Sequence, residues 1–181
     1  MGGDMDSKHP NAKVLLLKRR ALPIAAIALV ALGVFAAVAA VSLAQPATGV
    51  TPTVLARGSY DSFKVKSAPG SPVDLKVKAK APMDVVVRRH DYGVGANTGW
   101  HQHPGPIFIT VTQGQLTYYE YDDPTCAPHV VTAGHGFVDT GDGHIVRNES
   151  GQPAQDVSVI FAPVGGAFRT ELAAPGPFCS F

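Results

Sequence analysis

The chain has 181 residues, of which 45% are hydrophobic and only 16% charged, and its formal net charge is +1. That length suits one domain with additions. A near-neutral balance, with no basic stripe or cluster apparent in the second part of the chain, argues against a nucleic-acid partner.

The charge is uneven along the chain. Residues 1–20 hold five basic residues (Lys8, Lys13, Lys18, Arg19, Arg20) against Asp4 and Asp6, a net of +3, whereas residues 45–181 hold ten basic and twelve acidic residues, a net of −2. The basic leader stands at the foot of an apolar run. From Ala21 to Ala44 no residue is charged and most are Ala, Val, Leu or Ile. Twenty-four residues of helix rise about 36 Å, enough for a hydrocarbon core of about 30 Å. Lys18-Arg19-Arg20 just before the run is the pattern that keeps the amino end in the cytoplasm and sends residue 45 onward outside. Ser42-Leu43-Ala44 offers the small residues a signal peptidase reads, but the run exceeds the length usual for a cleaved signal. The expectation is one transmembrane helix or signal anchor over 21–44, with release of a secreted domain by cleavage after Ala44 as the alternative. Residues 45–53, rich in Pro, Thr, Gly and Ala, read as a flexible linker, and 54–181 as the globular domain.

That domain reads as strands. Phe63–Lys66 and Val73–Lys80 alternate apolar and polar residues with the period of a half-buried strand. Met83–Arg89 and Ile107–Thr112 are β-branched runs, and Gln113-Gly114 turns into Gln115–Tyr121. Shorter strands are expected at His129–Thr132, Gly136–Asp139 and His144–Arg147, and Asp156–Phe161 closes the series. Gly and Pro separate these at short spacing, and no segment after residue 50 carries a 3.6-residue period. Many short strands with Gly-rich turns imply an all-β antiparallel sandwich or barrel, and a jelly roll removes the exposed edges.

The two cysteines are Cys126 and Cys179. An even count in an exported domain favours a disulfide, here worth about 4 kcal/mol by chain entropy. Free thiols, or a thiol serving a metal, are the alternatives.

His101 and His103 stand two apart, so on an extended strand both face one way. His144 follows in Gly141-Asp142-Gly143-His144. Three neutral imidazoles on one face suit a divalent transition metal such as Fe, Zn, Mn, Ni or Cu. The plainer reading is three hydrogen-bonded barrel histidines without a metal.

With these residues in view, 95–148 resembles the cupin family. Gly95, five residues, His101-Gln102-His103 and the closing Gly114 follow the first cupin motif, and Gly141, His144 and Asn148 keep register with the second. The resemblance implies a small jelly-roll barrel over roughly residues 54–163, with His101, His103 and His144 as metal ligands. The chain departs from the pattern where it places Ile107, beside Phe108, at the position of the motif's Glu, so the anionic ligand is missing. Asp139 and Ala133 replace the usual Pro and Gly of the second motif. Some cupin dioxygenases resemble this three-histidine state, so the departure is compatible with activity.

Asn148 is a candidate for hydrogen bonding near the site, and Trp100, Ile107 and Phe108 are candidate pocket residues, with core packing the competing role for Trp100 and Phe108. His90, His129 and His135 are expected at the surface, and Tyr118, Tyr119 and Tyr121 as ordinary strand residues. The chain lacks Gly-x-Ser-x-Gly, His-Glu-x-x-His and a phosphate-binding loop before a helix, which excludes the common hydrolase and nucleotide-binding motifs. Two readings remain: a small-molecule oxidoreductase of the dioxygenase kind, and a non-enzymatic ligand-binding or structural module. The expected partners are a small-molecule ligand or substrate and, through the amino-terminal helix, a membrane; the family resemblance adds a homodimer.

Overall fold

The computed structural model describes residues 44–179 and 181. The apolar run of 21–44, and with it the expected anchor, lies outside these residues except for Ala44. Among the described residues no helix is long and apolar enough to cross a membrane.

The described chain is all β apart from one 3-10 turn at Pro177–Cys179. Its strands are β1 (Thr48–Tyr60), β2 (Phe63–Lys66), β3 (Lys76–Ala79), β4 (Met83–Asn97), β5 (His101–Gln102), β6 (Ile107–Gln113), β7 (Gln115–Glu120), β8 (His129–Thr132), β9 (Gly136–Asp139), β10 (His144–Arg147), β11 (Ala154–Pro163) and β12 (Thr170–Glu171). β1, β4, β11, β6 and β9 pair side by side, and β12, β5, β10, β7 and β8 form a second layer. The layers meet where Asn97, the last residue of β4, pairs with Arg147 of β10. All pairings are antiparallel, so the fold is a nearly closed antiparallel barrel.

Alternation builds the interior. In β4 the residues Asp84, Val86, Arg88, His90 and Tyr92 are buried, and in β11 Ala154, Asp156, Ser158, Ile160 and Ala162. Ile107, Ile109 and Val111 of β6 join them, with Val86, Ile107, Ile109 and Ile160 in one apolar cluster. A second cluster, Tyr92, Ala96, Val111, Leu116, Tyr118 and Val146, fills the other end.

A third cluster lies outside the barrel wall. Trp100, Tyr119 and Ile145 are covered by the carboxy-terminal segment through Cys179 and Phe181. The Cys126–Cys179 disulfide, with a sequence separation of 53, holds that segment in place. Phe181 stacks on Trp100 at 6.3 Å, and the Arg147 guanidinium sits 4.1 Å over the Phe181 ring. This covering explains why Tyr118, facing in, and Tyr119, facing out, are both buried in β7.

Four expectations are corrected by the fold. The linker expected through residue 53 is strand from Thr48 onward, because Val50–Tyr60 pairs along the whole edge of β4. Its Pro52 hid it: proline breaks a central strand pattern but is tolerated on an edge, and β1 is exposed along nearly all its length.

Val73–Lys80 is not a half-buried barrel strand. Only Lys76–Ala79 is strand, and it pairs with β2 in a separate two-stranded sheet, leaving Val65, Val73 and Leu75 exposed. The same pairing sets Lys64 opposite Lys78 and Lys66 opposite Lys76. A basic cluster thus exists in the second part of the chain, assembled by strand register. His90, expected at the surface, is buried and hydrogen-bonds Asp156 through Nδ1 at 2.7 Å.

Candidate metal centre

The site forms where β5 meets β10. His101 and His144 are direct cross-strand partners, and His103 follows β5 by one residue. The ring centroids are 4.4 Å apart for His101 and His144, 5.0 Å for His101 and His103, and 5.4 Å for His103 and His144. One ligand atom from each of the three lies within 4.8 Å of the others. All three residues are buried, as the two-residue spacing of His101 and His103 on one face requires.

The hydrogen bonds assign the tautomers. His101 Nδ1 lies 2.9 Å from the Gly99 carbonyl, His103 Nδ1 lies 2.6 Å from the Phe168 carbonyl, and His144 Nδ1 lies 2.5 Å from Asp139 Oδ2. A carbonyl or carboxylate oxygen only accepts, so each Nδ1 carries the proton and each Nε2 is left with its lone pair. His103 Nε2 is buried and has no hydrogen-bond partner. Such an orphaned acceptor is costly in a barrel without a ligand, and a cation supplies what it lacks. The residues therefore fit a divalent metal, with three imidazole nitrogens as donors and no thiolate or carboxylate among them.

The protonation state suits that role. Burial holds His101 well below the ordinary imidazole range, helped by the neighbouring His144 and the Arg169 charge. Burial likewise lowers His103 to about 4. Both rings are neutral at pH 7, as ligation requires. The linked stability has a definite sign. Between about pH 4 and 6.5 the unfolded chain binds protons at these imidazoles that the folded chain refuses, so stability falls as pH falls through that window. From the His103 shift alone the loss is about 3 kcal/mol. Urea unfolding of metal-free protein should show a clearly lower midpoint at pH 4.5 than at pH 7, and coincident midpoints would contradict the burial of neutral imidazoles.

Asp139 is the residue that sequence reasoning passed over. In the sequence it stands out only as a departure from a motif proline. Its Oδ2 accepts from His144, and its Oδ1 accepts from the Gly141 N–H. Burial pushes its carboxyl up, but these hydrogen bonds and the nearby imidazoles outweigh that and hold it below the usual carboxylate range. A carboxylate behind a ligating imidazole fixes its orientation and raises its basicity. Asp139 is also the cross-strand partner of Ile107. The negative charge missing at position 107 is thus supplied one strand away, on the Nδ1 side of His144. A polar residue five positions before a candidate ligand, in a strand meant for the interior, was the available signal.

Gly141 ties the parts together. Its N–H serves Asp139, its carbonyl accepts from the His103 N–H at 3.1 Å, and its φ is 107°. A Cβ there would meet the carbonyl oxygens of Gly105 at 2.7 Å and His103 at 2.8 Å. Gly141→Ala should therefore lower stability by about 2 kcal/mol and weaken metal binding with it, read by thermal melting and metal titration. An alanine variant matching the parent in both would refute this role.

The remaining expected site residues are placed elsewhere. Ile107 lines the apolar interior beside Val86, Ile109 and Ile160. Phe108 faces outward with 46% exposure and meets Phe161 edge-on, so it is not a pocket residue. Trp100 is fully buried, but under the carboxy-terminal segment on the outer side. Asn148 donates to the carbonyls of Gly93 and Gln152 and joins two turns; it makes no hydrogen bond to the histidines. His129 and His135 are exposed, as expected. Tyr118 lies closer to the site than an ordinary strand residue would, its ring 6.2 Å from that of His144.

Comparison with known proteins gives one family match. Residues 88–160 match the family model described as a cupin domain. No curated protein matches the chain in sequence. Among solved structures, a recombinant oxalate oxidase in complex with glycolate is 25% identical, with 48% of this chain and 45% of that one covered and a TM-score of 0.40. This chain thus spans less than half the length of that relative. A cupin domain from Bordetella pertussis Tohama I is 20% identical, with 66% and 97% covered and a TM-score of 0.41. The Cupin_2 domain of an XRE-family transcriptional regulator from Enterobacter cloacae is 16% identical, with 64% and 97% covered and a TM-score of 0.41. Residues 88–160, which hold all three converging histidines within an all-β barrel, are thus similar to a cupin domain.

Proposed function

We propose that this protein is a membrane-anchored, extracytoplasmic cupin that binds a divalent transition metal through His101, His103 and His144 and oxidises a small molecule in the manner of a dioxygenase. One observation carries the metal reading: three buried histidines bring ligand atoms within 4.8 Å of one another, every Nδ1 is tied to an acceptor, and His103 Nε2 is buried without a partner. A metal held by three imidazoles supplies open coordination positions for a chelating substrate and an oxidant. The chain's own residues do the rest. Gly99, Phe168 and Asp139 orient the rings, and the interior around Val86, Ile107, Ile109 and Ile160 excludes water. Ile107 offers no proton acceptor at the position where the family motif has a glutamate, which disfavours acid–base reactions that need a base there, such as isomerisation.

The test is oxygen consumption by iron-loaded protein with a catechol, a flavonol, a diketone or a thiol, against zinc-loaded protein as the control. Uptake with iron alone supports oxidation. Inactivity across the panel with iron bound would favour the second reading, a ligand-binding module without turnover, which the isoleucine at 107 in place of the motif's glutamate also favours.

Anchoring rests on the charge-free run from Ala21 to Ala44 behind Lys18-Arg19-Arg20. The Cys126–Cys179 bridge supports an oxidising compartment. The expected chain stays with membranes through alkaline carbonate washing; a soluble chain beginning at Gln45 would overturn the anchor and leave a secreted domain.

A further inference from the structure

Arg88 is a buried cation without an anionic partner among the described residues. It is 9% exposed, its Nε has no hydrogen bond, and among the described residues no carboxylate lies within ion-pair distance of it. The nearby acids are engaged. Asp156 accepts from Tyr92 Oη at 2.7 Å and pairs with His90, and Glu171 is held by Arg169 at 2.5 and 2.7 Å. Ser158, the cross-strand partner of Arg88, is fully buried and its hydroxyl is also unpartnered. Burial pushes the Arg88 guanidinium below its ordinary value, and the Arg169 charge adds to this. Leaving such a group unmatched is expensive, and apolar residues replace it readily in ordinary cores.

Its position gives the charge a use. The Arg88 guanidinium lies 4.9 Å over the Phe168 ring, and the Phe168 carbonyl accepts from His103. The next residue, Arg169, is held by the Thr98 carbonyl and acts electrostatically on both His101 and His103. Arg88, His90, Thr98, Arg169 and Glu171 line a cavity of about 290 Å³. Asp139 behind His144 offsets only part of a divalent cation's charge, and Arg88 and Arg169 add further positive charge on the Phe168 side.

We propose that Arg88, with Ser158 and Arg169 beside it, is the anion-binding subsite of the metal centre, and that the ligand or substrate is a small carboxylic acid whose carboxylate pairs with Arg88. A planar guanidinium matches a carboxylate through two parallel hydrogen bonds. This rests on the metal reading for the second end of the ligand, and the test separates the two.

Full-length zinc-loaded protein in detergent is titrated with acetate, pyruvate and methyl pyruvate by calorimetry, beside Arg88→Met and Arg88→Lys variants. The parent should bind pyruvate at least tenfold more tightly than its uncharged ester. Arg88→Met should lose at least tenfold in pyruvate affinity with metal content and melting temperature kept, and Arg88→Lys should recover part of the loss. Equal pyruvate affinity in parent and Arg88→Met would overturn the subsite, as would a metal-loaded parent that binds neither acid. Loss of folding in both variants would make Arg88 a structural cation and overturn it too. A parent that holds no zinc refutes the metal centre instead, and a pyruvate affinity that still depends on Arg88 would keep the subsite.

Discussion

The full-length protein should take up about one equivalent of zinc or iron, and a His101→Ala/His144→Ala double variant should take up none. The reason is the ligand count. His101 and His144 are cross-strand partners and supply two of the three converging nitrogens, and a single imidazole does not hold a divalent ion against water. Asp139→Asn is the finer probe. The asparagine keeps the volume and can still accept from His144 through its carbonyl oxygen, but it removes the charge that strengthens that imidazole as a donor and turns its amide NH2 toward the Gly141 N–H. Its metal affinity should drop about 10- to 100-fold with stoichiometry unchanged at saturating metal. Metal retained by the double variant would place the ion elsewhere. An unchanged affinity in Asp139→Asn would remove Asp139 from the site.

The second large effect concerns the carboxy-terminal segment. A Cys126→Ser/Cys179→Ser variant should lose about 4 kcal/mol by chain entropy, a fall in melting temperature of roughly 10 °C. The bridge closes a span of 53 residues and pins the segment that covers Trp100, Tyr119 and Ile145. Trp100 is the only tryptophan in the chain and is fully buried, so it reports locally. In the variant its emission should shift to the red below the global transition, as Phe181 leaves its stacked position. A variant that melts with the parent and keeps a buried Trp100 would show that packing alone holds the segment. Metal binding should survive, because the three histidines lie in a different cluster of the fold.

Much of the candidate site was legible in the chain because its signals are local. His101 and His103 share a face by strand geometry alone, and the β-branched runs of β4, β6 and β11 announce a buried sheet. What stayed hidden depends on partners distant in sequence. Thr48–Thr53 looks like a linker until β4 supplies its hydrogen bonds. Four lysines spread over 64–78 become neighbours only through the β2–β3 register. His90 reads as a surface residue beside Arg88-Arg89, until Asp156, 66 residues away, makes its burial affordable.

The sequence by itself therefore determined an all-β class, the histidine pair with His144, and the cysteine pair that forms the bridge, since strand periodicity, ligand spacing and an even cysteine count are short-range or compositional properties. Only the tertiary structure decided what stands behind each ligand. Asp139 became the carboxylate of His144, Trp100 and Phe108 were assigned to the outside, and Arg88 was left buried without an anion, because burial and hydrogen-bond pairing are set by which strands meet and which face each turns inward.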